Sequence, residues 1–294
     1  MIWRLSHDRS LDLSAPRVMA IINITPDSFA DGGRTFDVPT ALAAARKAVE
    51  AGAAILDLGA ESTRPGAGRV PDDEQLRRLL PVVEAIRRGN DPFSTTPISI
   101  DTTRAAVAAA ALDAGADAVN DVSGGSDDPA MMALAAGRGC GFIIMHRLAL
   151  PAADTFSDRY ANAPDYAGGV CGHVHAWLRV QRVAAIDAGV DPASIILDPG
   201  LGFGKSVAQN LDLIRCTGRL TDTAPVLSAL SRKSFVGRVA LGRDSTPDER
   251  RAGTLGLSIA HLHAGARLFR VHDVREHVEA LAAAFAVDAR ESDL

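Results

Sequence analysis

The residues in this chain that could do chemistry recur at one kind of place, the end of a short apolar run: Asn23, Asp57, Asp101, Asn120, His146, Asp198, Ser231 with Lys233, and Arg270 with His272. A polar or charged side chain at the end of a buried strand costs desolvation free energy unless a partner or ligand uses it. One such residue means little. Repetition at successive strand ends points to a pocket on which the side chains converge.

The turns beyond these runs have their own chemistry. Asn23 to Gly33 mixes a carboxamide, the carboxylates Asp27 and Asp31, the Phe29 ring and two glycines, a composition that suits a mobile lid. Glu61-Ser62-Thr63-Arg64-Pro65-Gly66 offers a guanidinium fork on a stiff turn, a good match for phosphate oxygens. Asp198-Pro199-Gly200-Leu201-Gly202-Phe203-Gly204-Lys205 is glycine-rich but lacks the GxxxxGK[ST] spacing, so a P-loop is rejected. Its glycines let the backbone approach a flat ligand. In Arg270-Val271-His272-Asp273, alternation aims Arg270 and His272 to one side, where both could donate to phosphate. His173 with His175 lacks a completing metal ligand, and His261 with His263 cannot share a helical face, so neither pair receives a function.

The elements that must position these groups alternate. Apolar, β-branched runs near 17–25, 54–60, 97–101, 118–122, 141–146, 194–198, 225–230 and 268–272 are separated by Ala-rich helical stretches such as Thr40 to Ala51, Asp72 to Arg88 and Thr103 to Ala114. Eight such units without a dinucleotide fingerprint after the first favour an α/β fold of the (β/α)8 TIM-barrel type over an open doubly wound sheet. Residues 1–294 are read as one domain, with the barrel over about 16–288 and a long polar loop at 147–165 lying over one face.

Composition sets the outer limits. With 47% apolar and 23% charged residues, the 294-residue chain can bury one large core. Lys plus Arg number 31 against 36 Asp plus Glu, and a net charge of −5 provides no basic field for nucleic acid or an anionic membrane. No stretch reaches the roughly 20 apolar residues of a membrane span. Cys140, Cys171 and Cys216 are scattered and odd in number, as expected of reduced thiols, and a cytoplasmic location follows as the simplest expectation.

Several of these segments resemble a known family. Met19 to Gly33 is similar to the first signature of the dihydropteroate synthases and Ile55 to Gly66 to the second. Ser99 to Thr102, Asn120 to Gly125, Met145-His146, Leu197 to Lys205, Ser231 to Phe235 and Arg270 to Asp273 follow in that family's order and spacing, so the resemblance covers essentially the whole chain. It implies a transferase of folate synthesis that condenses 6-hydroxymethyl-7,8-dihydropterin pyrophosphate with 4-aminobenzoate, giving 7,8-dihydropteroate and pyrophosphate. It also implies a homodimer and a target of sulfonamides.

Residue by residue, the resemblance implies that Asp101, Asn120, Asp198 and Lys233 bind the pterin edge, with Val122, Met145 and Phe203 along its flat faces. Asn23 would bind Mg²⁺, and Thr63, Arg64, Arg270 and His272 would join it around the pyrophosphate; Phe29, Thr63, Pro65 and Ser231 would flank aminobenzoate; Lys233, Arg64 and Asp31 would serve catalysis. Ala20 and Ala229 stand where the family commonly has glycine, and each is expected to add a methyl group near the pocket. The alternative is a pterin-binding methyltransferase-type barrel without synthase activity, a group that shares the pterin Asp and Asn but not the full lid and Ser-Arg-Lys-Ser set. A barrel with no enzymatic role would bind neither substrate.

Overall fold

The computed structural model describes residues 1–25, 38–89 and 91–288. The chain opens with an antiparallel hairpin of β1 (Ile2–Arg4) and β2 (Ser10–Asp12). Strand and helix then alternate through β3 (Arg17–Asn23), α1 (Val38–Glu50), β4 (Ile55–Gly59), α2 (Asp72–Arg87), the single turn α3 (Pro92–Thr95), β5 (Ile98–Asp101), α4 (Ala105–Asp113) and β6 (Ala118–Asp121). The second half runs α5 (Met131–Arg138), β7 (Gly141–Met145), α6 (Val170–Asp187), β8 (Ile195–Asp198), α7 (Val207–Arg215), the single turn α8 (Gly218–Thr221), β9 (Leu227–Ser228), α9 (Ser234–Leu241), α10 (Arg251–His263), β10 (Leu268–Val271) and α11 (Val274–Asp288).

The eight strands from β3 to β10 pair in parallel in the order β8-β7-β6-β5-β4-β3-β10-β9, and a parallel bridge between Leu197 and Val226 brings the two ends together. This is the (β/α)8 barrel expected from the alternation. Both faces of the strands are buried, which is why they read as nearly unbroken apolar runs. Alternation divides the apolar residues into two cores. Val18, Ala20, Leu56, Leu58, Ile98 and Ile100 pack outward beneath the helices. Met19, Ile55, Ala118, Ile143, Ile196, Leu227 and Leu268 fill the interior.

The hairpin, absent from the sequence reading, closes the N-terminal end of the barrel. Trp3 is fully buried and donates through Nε1 to the Ser194 carbonyl at 2.8 Å, and Leu5 and Leu13 join it in the interior cluster. Gly141 makes room for this plug: a Cβ there would stand 2.6 Å from Leu5 and 2.7 Å from Trp3. Buried Asp117 anchors the same end, accepting from Arg9 at 2.5 Å, Arg87 at 2.6 Å and the Ile98 amide at 2.8 Å. With one end filled, ligands have the C-terminal strand ends, where the polar residues gather.

One expectation is overturned. Cys171 and Cys216 form a disulfide with their Cα atoms 6.4 Å apart, while Cys140 stays a free, buried thiol. Packing of α6 against α7 brings the first turn of one helix to the end of the other, a proximity that a sequence separation of 45 conceals. Among the described residues no helix is long and apolar enough to cross a membrane.

Candidate active site

Four strand ends supply the floor and rim of the pocket. Asp57 from β4, Asp101 from β5, Asn120 from β6 and Asp198 from β8 are all buried, and each lies on the inward-facing register of its strand. Asn120 donates from Nδ2 to Asp57 Oδ2 at 3.1 Å. Arg270 from β10 reaches the same carboxylate from Nε at 2.5 Å and Asp101 Oδ2 from Nη2 at 2.6 Å. Asp57 Oδ1, Ser99 Oγ and Asn120 Oδ1 find no hydrogen-bond partner among the described residues, so the floor retains acceptor capacity.

Burial dominates the electrostatics. It raises the Asp101 pKa to about 7, with Arg270 opposing and the neighbouring Asp57 reinforcing the shift. Asp198 is raised by the same desolvation, against the pull of Lys233. Burial lowers Lys233 to about 8, although Asp198 favours its charged form. Desolvation also works against Arg270, but Asp57 and Asp101 more than offset it and hold the guanidinium above its ordinary value.

Val122, Met145 and Phe203 form a small apolar cluster of their own, separate from both cores. Lys233 Nζ lies 4.2 Å from the centre of the Phe203 ring and donates to the Leu201 carbonyl. The result is a narrow slot with apolar walls, two carboxylates and an amide at its base, and an ammonium on one side. A flat heterocycle with donors and acceptors along its edge fits that chemistry.

Lys233 owes its place to a strained turn. Arg232 adopts φ +58°, a region costly for a residue with a side chain. It is held there by Asp273, which Nε meets at 2.9 Å, and by Thr254 Oγ1, which accepts from the Arg232 amide at 3.0 Å. The turn sends Ser231 to the mouth, where its hydroxyl lies 3.0 Å from His272 Nδ1. Desolvation, then the nearby Arg270 and Arg232 guanidiniums, lower the His272 pKa. Across the mouth the 61–66 turn exposes Arg64 and half-buries Thr63 and Pro65. A cavity of about 150 Å³ opens beside it, bordered by Glu61, Thr63, Asp101, Val122 and Arg147. Asn23 is half-buried at the end of β3.

The structure therefore brings together Asp101, Asn120, Val122, Met145, Asp198, Phe203 and Lys233 in one slot, with Ser231 and His272 at its rim. Three expectations change or stay open. Arg270, expected around pyrophosphate, reaches Asp57 and Asp101 from its inward-facing position on β10, and its pyrophosphate role stays open. Ala20 faces the helix layer and Ala229 the interior core, so the expectation of methyl groups near the pocket is corrected for Ala20 by its outward register. Phe29 and Asp31, with the rest of the expected lid from Pro26, lie outside the described residues. Lys205 and the Asp57–Arg270 pair were missed as partners of the site. The only signal for Lys205 was its place after three closely spaced glycines.

A barrel with this slot is the architecture of a pterin-binding enzyme. The pterin-binding enzyme family matches residues 19–272, and the chain belongs to it. It is 43% identical over 276 residues to the dihydropteroate synthase of Mycobacterium leprae, covering 92% of this chain and 93% of that one. The Xanthomonas albilineans dihydropteroate synthase, solved with 4-aminobenzoic acid, superposes with a TM-score of 0.86 at 39% identity, covering 99% and 100% of the two chains. A structure of the same bacterium's enzyme with 7,8-dihydropteroate gives a TM-score of 0.83 at 37% identity, covering 98% and 99%.

Proposed function

We infer that this chain is a dihydropteroate synthase, which joins 6-hydroxymethyl-7,8-dihydropterin pyrophosphate to 4-aminobenzoate and releases pyrophosphate in folate synthesis. One juxtaposition carries the reading. The slot of Val122, Met145 and Phe203, edged by Asp101, Asn120, Asp198 and Lys233, suits a pterin; Arg64 and the Ser231–His272 pair beside its mouth suit an anion. The methyltransferase alternative accounts for the slot but leaves the mouth without a task.

In this reading Asp101 and Asp198 accept from the donor edge of the pterin, and Asn120 and Lys233 meet its carbonyl and ring nitrogens. The C–O bond to pyrophosphate breaks with its electron pair leaving on oxygen, because the electron-rich pterin stabilises the resulting CH₂ cation. The aminobenzoate nitrogen then attacks that carbon and loses a proton to solvent or to the departing pyrophosphate. An aryl amine needs no strong base when its partner is a cation, and catalysis rests on leaving-group stabilisation and positioning. Arg64, His272 and Lys233 carry the first. Arg270 can assist on pyrophosphate once the pterin takes over Asp101. Thr63, Pro65 and Ser231 border the aminobenzoate position, and the resemblance adds Phe29 to that group and Asp31 to catalysis.

Mg²⁺ belongs to the proposal. Asn23 offers one neutral oxygen donor at the mouth, which suits a cation that keeps several waters and shares phosphate oxygens; among the described residues no group of three or more His, Cys, Asp or Glu would form an all-protein cage. When bound, the ion would neutralise charge on the leaving group. A homodimer and a cytoplasmic setting are further parts of it, the second supported by the substrate, since a pyrophosphate ester crosses a bilayer only at a large desolvation cost. The test is to incubate the pure protein with pterin pyrophosphate, Mg²⁺ and 4-aminobenzoate and to measure pyrophosphate. Release that depends on aminobenzoate supports a synthase; pterin binding without release supports the methyltransferase alternative.

A further inference from the structure

Lys205 is a fully buried lysine, its pKa lowered by desolvation to about 7, to which the reaction just described gives no task. Its Nζ lies 2.8 Å from the Phe203 carbonyl, 2.9 Å from that of Gly200, 3.3 Å from that of His146 and 3.1 Å from His146 Nδ1. None of these partners is a carboxylate; Asp198, Asp154 and Lys233 act on it only through space. Lysine is almost never buried this completely without an ion-pair partner.

The geometry suits the charged form. An ammonium has three N–H donors and no lone pair, so three carbonyl oxygens can close around it. A neutral amine would turn its own lone pair toward one of them. Desolvation and the ammonium itself push the His146 pKa down to about 2, so the imidazole is neutral, and its Nδ1 at 3.1 Å competes with the more distant His146 carbonyl for the third N–H.

Two of the three carbonyls belong to the 198–204 turn, which starts with Asp198 and carries Phe203. That turn has little stiffness of its own, with Gly200 at φ +68°, Gly202 at +85° and Gly204 at +67°. At Gly200 a Cβ would stand 1.8 Å from the His146 carbonyl, so the close approach of this turn to His146, with Lys205 between their carbonyls, depends on its absence. Lys233 holds the same turn from the slot side through the Leu201 carbonyl and the Phe203 ring. Tyr166 secures its far end, donating to the Gly204 carbonyl at 2.6 Å.

We propose that Lys205 is a positioning residue: by gathering the carbonyls of His146, Gly200 and Phe203 around one buried ammonium, it fixes where the Asp198 carboxylate and the Phe203 ring stand against the pterin. The inference rests on the pterin reading of the slot. It separates Lys205 from Lys233, which faces the ligand directly.

The test compares wild type, Lys205→Met and Lys205→Gln by calorimetric titration with 6-hydroxymethylpterin and, separately, inorganic pyrophosphate, alongside thermal melts. Methionine keeps the bulk and removes every donor, while glutamine restores two N–H donors without charge. For Lys205→Met the pterin Kd should rise about thirtyfold, with Lys205→Gln between it and wild type, while the pyrophosphate Kd, set at Arg64 and His272, stays within about twofold. Lowered melting temperatures with an unchanged pterin Kd would overturn the proposal, as would equal losses for both ligands or failure of both variants to fold; each outcome would make Lys205 a residue of the fold alone. Wild-type protein that fails to bind 6-hydroxymethylpterin would overturn the pterin reading itself and this inference with it.

Discussion

Arg270 meets Asp57 across the barrel floor, Nε to Oδ2, at 2.5 Å, and the same guanidinium is the ion-pair partner of Asp101. One cation thus serves two buried carboxylates. Removing it strands both charges, and breaking a buried pair by deleting one partner costs about 3–5 kcal/mol. Arg270→Ala is therefore expected to lose stability in a pH-dependent way. Asp101 already has a raised pKa, to about 7, and loss of Arg270 raises it further; the folded state then holds a proton that the unfolded chain, with its ordinary carboxylate, has released. Stability falls as pH rises through that window. Thermal melts at pH 5 and pH 8 should show the larger deficit at pH 8; an equal deficit at both would mean that the carboxylates do not depend on Arg270.

Asp198→Asn isolates the pterin contact more cleanly, since an amide can still accept from the Gly200 amide, now 2.7 Å from Asp198 Oδ1. The loss of a charge-assisted bond should weaken 6-hydroxymethylpterin binding by about 10- to 100-fold with the melting temperature preserved. Unchanged affinity in calorimetry would remove this carboxylate from the pterin site.

At the mouth the effect should depend on the anion. Arg64 is exposed and His272 is bonded to Ser231, so neither is buried in the slot. Arg64→Ala and His272→Ala are each expected to weaken the pyrophosphate ester by about 1.5–3 kcal/mol and the bare pterin hardly at all. Parallel losses for the two ligands in a binding titration would count against an anion role.

His261 gives a stability prediction far from the pocket. It is fully buried between Ser228 Oγ at 2.8 Å and Thr217 Oγ1 at 2.9 Å, and desolvation lowers its pKa to about 3. Between about pH 6.5 and this value the unfolded chain binds a proton that the folded protein refuses, so stability is lost as pH falls. In His261→Gln that loss should be shallower over the same window by up to about 1.4 kcal/mol per pH unit. Denaturant melts from pH 7 to 4 measure it, and parallel curves for the two proteins would rule out a neutral buried imidazole.

The Cys171–Cys216 bond links the first turn of α6 to the C-terminal end of α7, and neither cysteine lies in a barrel strand. Cys171→Ser should cost about 2–4 kcal/mol of stability and leave kcat unchanged. A fall in kcat measured well below the melting temperature would show instead that the bond supports the active site.

Much of this could be read in the residues because barrel strands are buried on both faces. Ile55–Gly59, Ile98–Asp101 and Ile195–Asp198 stand out as apolar runs, and the polar residue at or near each C-terminal end marks the pocket. β9 was overestimated: only Leu227–Ser228 pair as a strand, because the chain soon turns through Ser231 and Arg232. The hairpin was missed because three-residue strands with exposed faces carry no periodic signal; packing of Trp3 and Leu13 on the barrel floor creates it. The outward register of Ala20 was available from its place next to Met19. No local pattern reveals that Arg270 pairs with residues about 170 to 210 positions earlier, since closure of the barrel alone brings them together.

The plug at the closed end also has a timetable. Trp3 is synthesised long before its seat: the carbonyl it bonds, Ser194, lies 191 positions later, and the glycine that admits its ring is Gly141. At roughly 5–20 residues per second, a nascent chain carries this indole for on the order of 10–40 s before its seat exists. The hairpin can only dock after most of the barrel has emerged, so sealing is a late event in maturation. Throughout that interval Trp3, Leu5 and Leu13 lack the interior cluster that buries them in the finished barrel.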